Sequence, residues 1–165
     1  MQHIFFTTDR TMEKTIKHYT ETIYYEMELT GKVMKMLAVQ FFNKLNRDLM
    51  PDEYVALDVI ACNENICQRD LAKLVLKDRA TTGRIVESLE KKGLISRSVD
   101  TKNNRLVRNL SVTKDGYKAI DEITGEIKKR FKEIGNIISE IEIEKLKEGL
   151  RAFRTSLGTF IESKI

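Results

Sequence analysis

The residues of this chain best suited to chemistry are arginines and lysines concentrated between positions 79 and 108. This basic segment holds eight Lys and Arg against three acidic residues, a net charge of +5. The other residues carry 21 basic and 22 acidic side chains, so the surplus of +4 for all 165 residues comes from this segment. Basic side chains neutralise phosphates, and the arginine fork matches guanine O6 and N7. A basic segment on a nearly neutral chain indicates binding to nucleic acid.

Two arginines of this segment are the candidates for reading bases. Arg79 and Arg84 are predicted on the outward face of one helix, with Arg84 the stronger candidate for a bidentate contact to guanine. Thr81 and Thr82 lie between them. The threonines could touch a thymine methyl or a phosphate, or they could bond locally at the start of the helix. The sequence leaves both alternatives open.

A second set of basic residues lies in a predicted β-hairpin. Arg105, with Lys102 and Arg108 nearby, could enter a narrow A·T-rich minor groove, whose negative potential attracts arginine. The alternative is a solvated loop. Gln68 and Arg69 open an earlier helix whose backbone N–H groups could hold a phosphate, or they could form an ordinary helix start.

The pattern between positions 66 and 113 predicts the elements that hold these side chains. A two-residue strand at 66–67 precedes a helix over 68–75, a turn at 76–78 and a second helix up to about residue 92. Asp78 is placed as the N-cap of that second helix, and Gly93 as its stop. Residues 94–113 form the hairpin, with arms at 94–95 and 106–112 and a loop at 100–104.

Long amphipathic helices are predicted on both sides. The first covers 11–46, as one helix or a kinked pair, and Pro51 opens another. The C-terminal third is helical with a break at Ser139, where Ser139 and Glu142 form a capping box. These helices carry apolar stripes at spacings of three and four: Ile16, Tyr19, Ile23, Met27, Thr30, Met34, Leu37, Phe41 and Leu45, then Ile120, Ile123, Ile127, Phe131, Ile134, Ile138 and Ile141, then Ile143, Leu146, Leu150, Phe153, Leu157, Phe160 and Ile161.

These stripes exceed what one small lobe needs for its core, which indicates packing against a second copy. The predicted fold class is mainly α, α with a small β-hairpin wing: a winged helix-turn-helix lobe with long N- and C-terminal dimerisation helices. We expect a single domain over 1–165. Its lobe covers about 51–113, and its helical dimerisation region covers about 11–46 and 114–165.

Other functional classes lack their signatures in the sequence. No secretory signal and no apolar run long enough to span a membrane occurs, so we expect a cytoplasmic protein without a membrane partner. No catalytic constellation, cofactor motif or metal-ligand spacing appears, so we expect no enzyme, cofactor or metal. Cys62 and Cys67 do not form a disulfide framework. Both are expected to be small buried residues; the alternative is a reactive thiol at Cys67, which begins a helix.

The run LAKLVLKDRATTGRIVESLEKKGLISR and the wing exit Leu110-Ser111-Val112-Thr113, with Gly116 after it, resemble the multiple-antibiotic-resistance regulator (MarR) family. The resemblance covers about 37–157. It implies a two-fold homodimer whose winged lobes read a near-palindromic operator in double-stranded DNA. By position, Arg84 resembles the family's recognition-helix arginine and Arg105 its wing-tip arginine. Asp78 resembles the aspartate that caps the recognition helix and can orient a wing arginine.

The chain also departs from that pattern. The usual wing tip is Asp-Arg-Arg/Lys, whereas Asn104-Arg105-Leu106 stands here, so one ion partner for the arginine is lost. Gly83 replaces a common Thr or Ser in the recognition helix. Residues 1–20 have no counterpart in the resemblance.

The leading hypothesis is a sequence-specific transcriptional regulator, a ligand-responsive homodimeric repressor. Its effector would be a small lipophilic or phenolic molecule, as the resemblance suggests, bound at residues that the sequence does not identify. The alternatives are a thiol-based redox sensor acting through Cys67, and a winged-helix module that binds proteins and not DNA.

Overall fold

The computed structural model describes residues 17–45, 48–102, 105–135 and 139–162. The chain divides into two compact units, residues 1–56 and residues 57–165. The second unit contains the basic segment.

The first unit begins, within the described residues, with a short 3-10 helix, Tyr19–Glu21, and continues into α1, Ile23–Lys44. The prediction of a helix from residue 11 is wrong for residues 17–22, because Thr22 is extended and caps α1. Its side-chain oxygen accepts a hydrogen bond from the Tyr25 N–H at 3.3 Å, so the helix starts there. Residues 11–16 and 46 lie outside the described part of the chain.

Helix α2, Pro51–Ala61, starts at the proline as predicted, where a missing N–H does no harm. The Met50 N–H donates to Glu53 Oε2 at 2.7 Å. This bond satisfies the backbone donor just before the first turn of α2. Phe42 of α1 is buried and lies against Tyr54, with ring centroids 5.6 Å apart. This aromatic contact packs the end of α1 on the first turn of α2.

The second unit continues with β1, Ile66–Cys67, then α3, Gln68–Leu74, and α4, Arg79–Lys91. This confirms the predicted strand–helix–turn–helix order. Both helices end in the same way, with a left-handed residue after the cap: Leu76, φ 53°, after α3 and Gly93, φ 69°, after α4. At each end two backbone N–H groups return to the last turn, the arrangement of a Schellman motif.

Leu76 is the unfavourable residue of this pair, because a β-carbon in the left-handed region costs about 1–2 kcal/mol. Its side chain is 80% exposed, so little packing offsets that cost. We expect Leu76→Gly to raise the free energy of unfolding by about 1 kcal/mol, as measured by urea denaturation. Gly93→Ala is the reciprocal variant. Nothing lies within 4 Å of an added β-carbon there, so a loss of about 1 kcal/mol should come from backbone conformation alone. A less stable Leu76→Gly protein would contradict the expectation.

The hairpin consists of β2, Ile95–Lys102, and β3, Arg105–Val112, and β3 lies between β2 and β1 in an antiparallel sheet. The first arm is longer than predicted, since residues 100–102 belong to the strand and not to the loop. Cross-strand pairing continues from Ile95↔Val112 to Lys102↔Arg105, and this non-local register overrides the turn-forming composition.

The core of the second unit lies between α2, α3, α4, the base of the sheet and the first turns of α5, Lys114–Gly135. Its fully buried side chains are Leu57, Ile60, Leu71, Thr82, Val86, Leu89, Leu110 and Ile123. The predicted inward positions of α4, namely Ile85, Val86 and Leu89, are confirmed as buried.

The last helix is α6, Glu140–Glu162. Ser139 and Glu142 form the predicted capping box: the Ser139 N–H donates to Glu142 Oε2 at 3.0 Å, and the Glu142 N–H donates to Ser139 Oγ at 3.3 Å. The predicted fold class is thereby confirmed: the chain is mainly α, with a small antiparallel sheet that forms the wing of a winged helix-turn-helix lobe. Among the described helices, none is long and apolar enough to cross a membrane.

Candidate nucleic-acid interface

Asp78 organises the first turn of α4. Its Oδ1 accepts the Thr81 N–H at 2.8 Å, and its Oδ2 accepts the Thr81 hydroxyl at 2.7 Å. The Asp78 side chain therefore occupies the N-cap position, with its negative charge at the positive end of the helix. The backbone N–H of Thr81, followed by its hydroxyl, lowers the pKa of Asp78 because both bonds favour the carboxylate.

This lowered pKa makes the cap dependent on pH. Because the folded-state pKa lies below the unfolded-state pKa, the stabilisation is fully present above the unfolded value and is lost as pH falls through the folded one. The affected range therefore lies below about pH 4. We expect Asp78→Asn to be less stable than the parent at pH 7 and the difference to shrink on acidification. Urea unfolding of both proteins at several pH values measures it, and other carboxylates cancel in the comparison. A difference independent of pH would contradict the prediction.

The two threonines of the first turn bond locally, which is one of the alternatives that the sequence left open. The Thr81 hydroxyl donates to Asp78, and the Thr82 hydroxyl donates to the Asp78 carbonyl oxygen at 2.8 Å. Thr82 is completely buried. The prediction that Thr82 contacts DNA therefore needs correction: its side chain fills the core under α4 and has no surface for a ligand.

Arg79 and Arg84 are both exposed at the N-terminal end of α4. Within the described residues, neither guanidinium forms an ion pair that would neutralise it. Both are therefore available to an outside partner. The exposed face of this end of α4 consists of small residues and these two arginines, and such a surface can approach a groove closely.

Gln68, the first residue of α3, lies against α4. A β-carbon added at Gly83 would lie 3.2 Å from Gln68 Nε2. The carboxamide of Gln68 thus fits over the place where Gly83 lacks a side chain. The sequence showed the departure at Gly83 but could not show this contact, because it joins positions 15 residues apart on two helices.

The wing brings Lys102 and Arg105 opposite one another at its far end, as the last cross-strand pair of the hairpin. Their side chains are outside what the structure describes, as is any contact between Asp78 and a wing arginine. Residues 103 and 104, which include the departure at Asn104, are also not described. Arg108 is exposed and pairs with Val99 nearer the base of the wing.

A junction of closely packed backbone at residues 93–94 and 113–116 fixes the base of the wing. The Thr113 hydroxyl donates to the Gly93 carbonyl at 2.6 Å, and the Thr113 N–H donates to the Leu94 carbonyl at 3.0 Å. The Gly116 N–H donates back to Thr113 Oγ1 at 3.1 Å. A β-carbon added at Gly116 would lie 2.2 Å from Leu94 O and 2.6 Å from Val112 Cγ1. This junction ties the end of α4 to the wing's exit and to the start of α5.

The cysteines differ from their predicted burial. Cys62 is exposed and Cys67 is partly exposed, and both are free thiols. Cys67 Sγ donates to Asp70 Oδ2 at 3.1 Å, and this bond is the main reason that the pKa of Asp70 is lowered. Among the described residues, no group of three His, Cys, Asp or Glu is arranged to hold a metal ion.

Residues 49–107 match the model of the MarR family. The crystal structure of the transcriptional regulator SlyA is similar, with a TM-score of 0.70 and 25% identity over 85% of this chain and 96% of that one. MepR of Staphylococcus aureus in complex with DNA has a TM-score of 0.68 and 25% identity over 85% of this chain and 99% of that one.

MepR in its DNA-binding conformation also has a TM-score of 0.68, with 26% identity over 82% of this chain and 98% of that one. No curated protein sequence matches the chain. The residues that match the family model cover α2, β1, α3, α4, β2 and the first three residues of β3.

Proposed function

We propose that this chain, whose residues 49–107 match the model of the MarR family, is a homodimeric repressor. It reads a near-palindromic operator and releases it when a small lipophilic or phenolic effector binds. The observation that carries the proposal is the end of α4, where exposed Arg79 and Arg84 stand on a capped helix in the same unit as the basic wing. No catalysis is part of the proposed role.

The proposed contacts follow from exposure for Arg79, Arg84 and Arg108, and from position in the hairpin for Lys102 and Arg105. Arg84 reads a base in the major groove, and Arg79 contacts a phosphate or a base beside it. Arg105, at the end of the wing, enters the minor groove, and Lys102 and Arg108 neutralise phosphates on either side. Gln68 lies at the start of α3 and adds a backbone contact. Thr81 serves the cap first, and only its remaining exposed surface can reach DNA.

Two copies are proposed because both terminal helical regions expose apolar side chains. The exposed residues of α1 include Ile23, Tyr24, Leu29, Val33, Met34, Met36 and Leu37, and those of α6 include Ile141, Leu146, Leu150 and Leu157. A soluble helix with such a face is stabilised by covering it, and a second copy of the same chain satisfies two-fold symmetry. Sedimentation equilibrium should give twice the monomer mass. We likewise propose that residues 1–165 act as a single domain.

Selection of bound sequences from a random duplex pool tests the proposed function. Purified protein should enrich an inverted repeat whose half-sites are about one helical turn apart. The enriched duplex then serves as the probe for lipophilic and phenolic effectors, which should lower its affinity. Absence of enrichment at low salt under reducing conditions would contradict operator reading and would leave the protein-interaction alternative.

A thiol switch is the second candidate, because Cys67 is partly exposed at the first turn of α3 next to Gln68. Oxidation there would add bulk and polarity where DNA is proposed to bind. Peroxide should weaken binding to the enriched duplex, and Cys67→Ser should remove the response. Equal binding before and after peroxide would eliminate this candidate.

A further inference from the structure

Arg97 differs from the other arginines of the basic segment. Its side chain is 26% exposed, and its Nε is completely buried, 3.0 Å from Glu90 Oε2. The two atoms are at ion-pair distance without the alignment of a hydrogen bond. In the register of the hairpin Arg97 lies opposite Leu110, which is buried, and directly opposed residues point to the same face of a sheet. Arg97 therefore points toward the core side of the wing.

The partner of Arg97 lies on the recognition helix. Glu90 belongs to the last turn of α4, Gly93 ends that helix, and β2 begins at Ile95. The ion pair thus spans the corner at which the chain reverses from the recognition helix into the wing. Glu87, one turn earlier, pairs with Lys91 at 2.8 Å, and that lysine is the main reason that the pKa of Glu87 is lowered, with Arg97 a minor contributor. Glu90 is therefore the carboxylate that pairs with Arg97, whereas Glu87 has Lys91 as its partner.

We propose that Glu90 and Arg97 form a positioning pair that sets the angle of the wing relative to the recognition helix, and that Arg97 does not bind DNA. The inference rests on the proposed function for its consequence at the operator, but the pair itself is a feature of the free protein. If Glu90 is neutralised, the largely buried guanidinium of Arg97 is left without its counterion, and the base of the wing relaxes to solvate it. If Arg97 is neutralised, Glu90 is 42% exposed and stays solvated, but the link between α4 and β2 is lost. The wing then samples a range of angles.

Two measurements test the pair. Amide hydrogen exchange of β2 and β3 in the free protein reports opening at the base of the wing. On the enriched duplex, hydroxyl-radical footprinting reports minor-groove contacts, and dimethyl sulfate reports guanine N7 in the major groove. We expect Glu90→Gln and Arg97→Gln each to speed exchange at the wing base on the order of tenfold. Both should weaken minor-groove protection and leave guanine N7 protection in place.

The charge-swapped protein carrying Glu90→Arg and Arg97→Glu should recover part of the protection, which a residue acting only as a DNA contact would not do. Glu87→Gln is the matched control, since it removes the same charge from the same helix and breaks the exposed pair with Lys91. It should leave wing exchange close to that of the parent.

Three outcomes are distinguishable. Faster wing exchange in Glu90→Gln, together with partial recovery in the swapped protein, supports the proposal. If Arg97→Gln weakens binding to every duplex equally while Glu90→Gln changes neither exchange nor footprint, Arg97 is a phosphate contact and the proposal is overturned. If the parent protein binds no duplex, the proposed function fails, and the exchange data still decide whether the pair holds the wing.

Discussion

Replacing Gly116 with alanine should destabilise the second unit by at least about 3 kcal/mol, the largest effect expected of a single added methyl group in this chain. The added β-carbon would lie 2.2 Å from the backbone oxygen of Leu94, which is not the end of a flexible side chain. Relief requires moving the junction at which the Thr113 hydroxyl holds the Gly93 carbonyl. The urea midpoint and melting temperature should both fall.

Gly125→Ala is the matched control for this substitution. Gly125 lies in the same helix, α5, and an added β-carbon there meets nothing within 4 Å. Alanine is favoured over glycine inside a helix by up to about 1 kcal/mol, so this variant should be more stable than the parent. Similar stability of the Gly116→Ala and Gly125→Ala proteins would show that the junction gives way easily and would contradict the prediction.

Arg84→Ala should reduce the preference for the operator over random DNA by about 1–3 kcal/mol, which is roughly fivefold to 150-fold. The reason is the loss of two parallel hydrogen bonds to one guanine, which no other side chain at that position replaces. Random duplexes should be affected little, because they are held mainly through phosphates. Competition binding with the enriched duplex and a scrambled duplex of the same composition measures the ratio.

Arg108→Ala provides the comparison for a phosphate contact. It should weaken binding to both duplexes equally and reduce the slope of log affinity against log salt by about one. Equal losses on operator and scrambled duplex for Arg84→Ala would place Arg84 with the phosphate contacts and remove it from base reading.

The elements around the recognition helix could be predicted because their signals are local. Four helix ends were predictable in this way: the Asp78 cap, the Gly93 stop, the start at Pro51 and the capping box at Ser139. Each depends only on residues within one turn of the helix end. The Leu76 turn was placed correctly, although leucine is a poor residue for its left-handed conformation.

The corrections concern contacts between positions distant in sequence. Thr82 occurs among small polar residues, and only the packing of α4 on the core shows that it is buried. The first wing arm extends to Lys102 because β3 supplies partners, which outweighs the turn-forming residues 100–102. Arg97 counts toward the charge of the basic segment, but its register opposite Leu110 turns it toward Glu90.

The start of α1 could not be predicted from periodicity. Apolar positions continue the helical period upstream of Ile23, and periodicity alone cannot reveal that Thr22 interrupts it. The cysteines are a similar case, since residue type predicts burial and Cys62 is exposed.

The sheet order gives the wing the mechanics of a cantilever. At Leu110 and Asn109 the strand β3 is clamped from both sides, by β1 and by β2, whereas farther out it has β2 alone as a neighbour. Arg105 lies four residues beyond Asn109, a lever arm of roughly 13 Å at about 3.3 Å per residue. A rotation of about 10° at the clamp would displace the tip by roughly 2 Å, which is enough to break a hydrogen bond. With Arg105 in the role proposed for it, the base pairs contacted at the tip would depend on stiffness at the base of the wing, so substitutions far from DNA would change which sequences are bound.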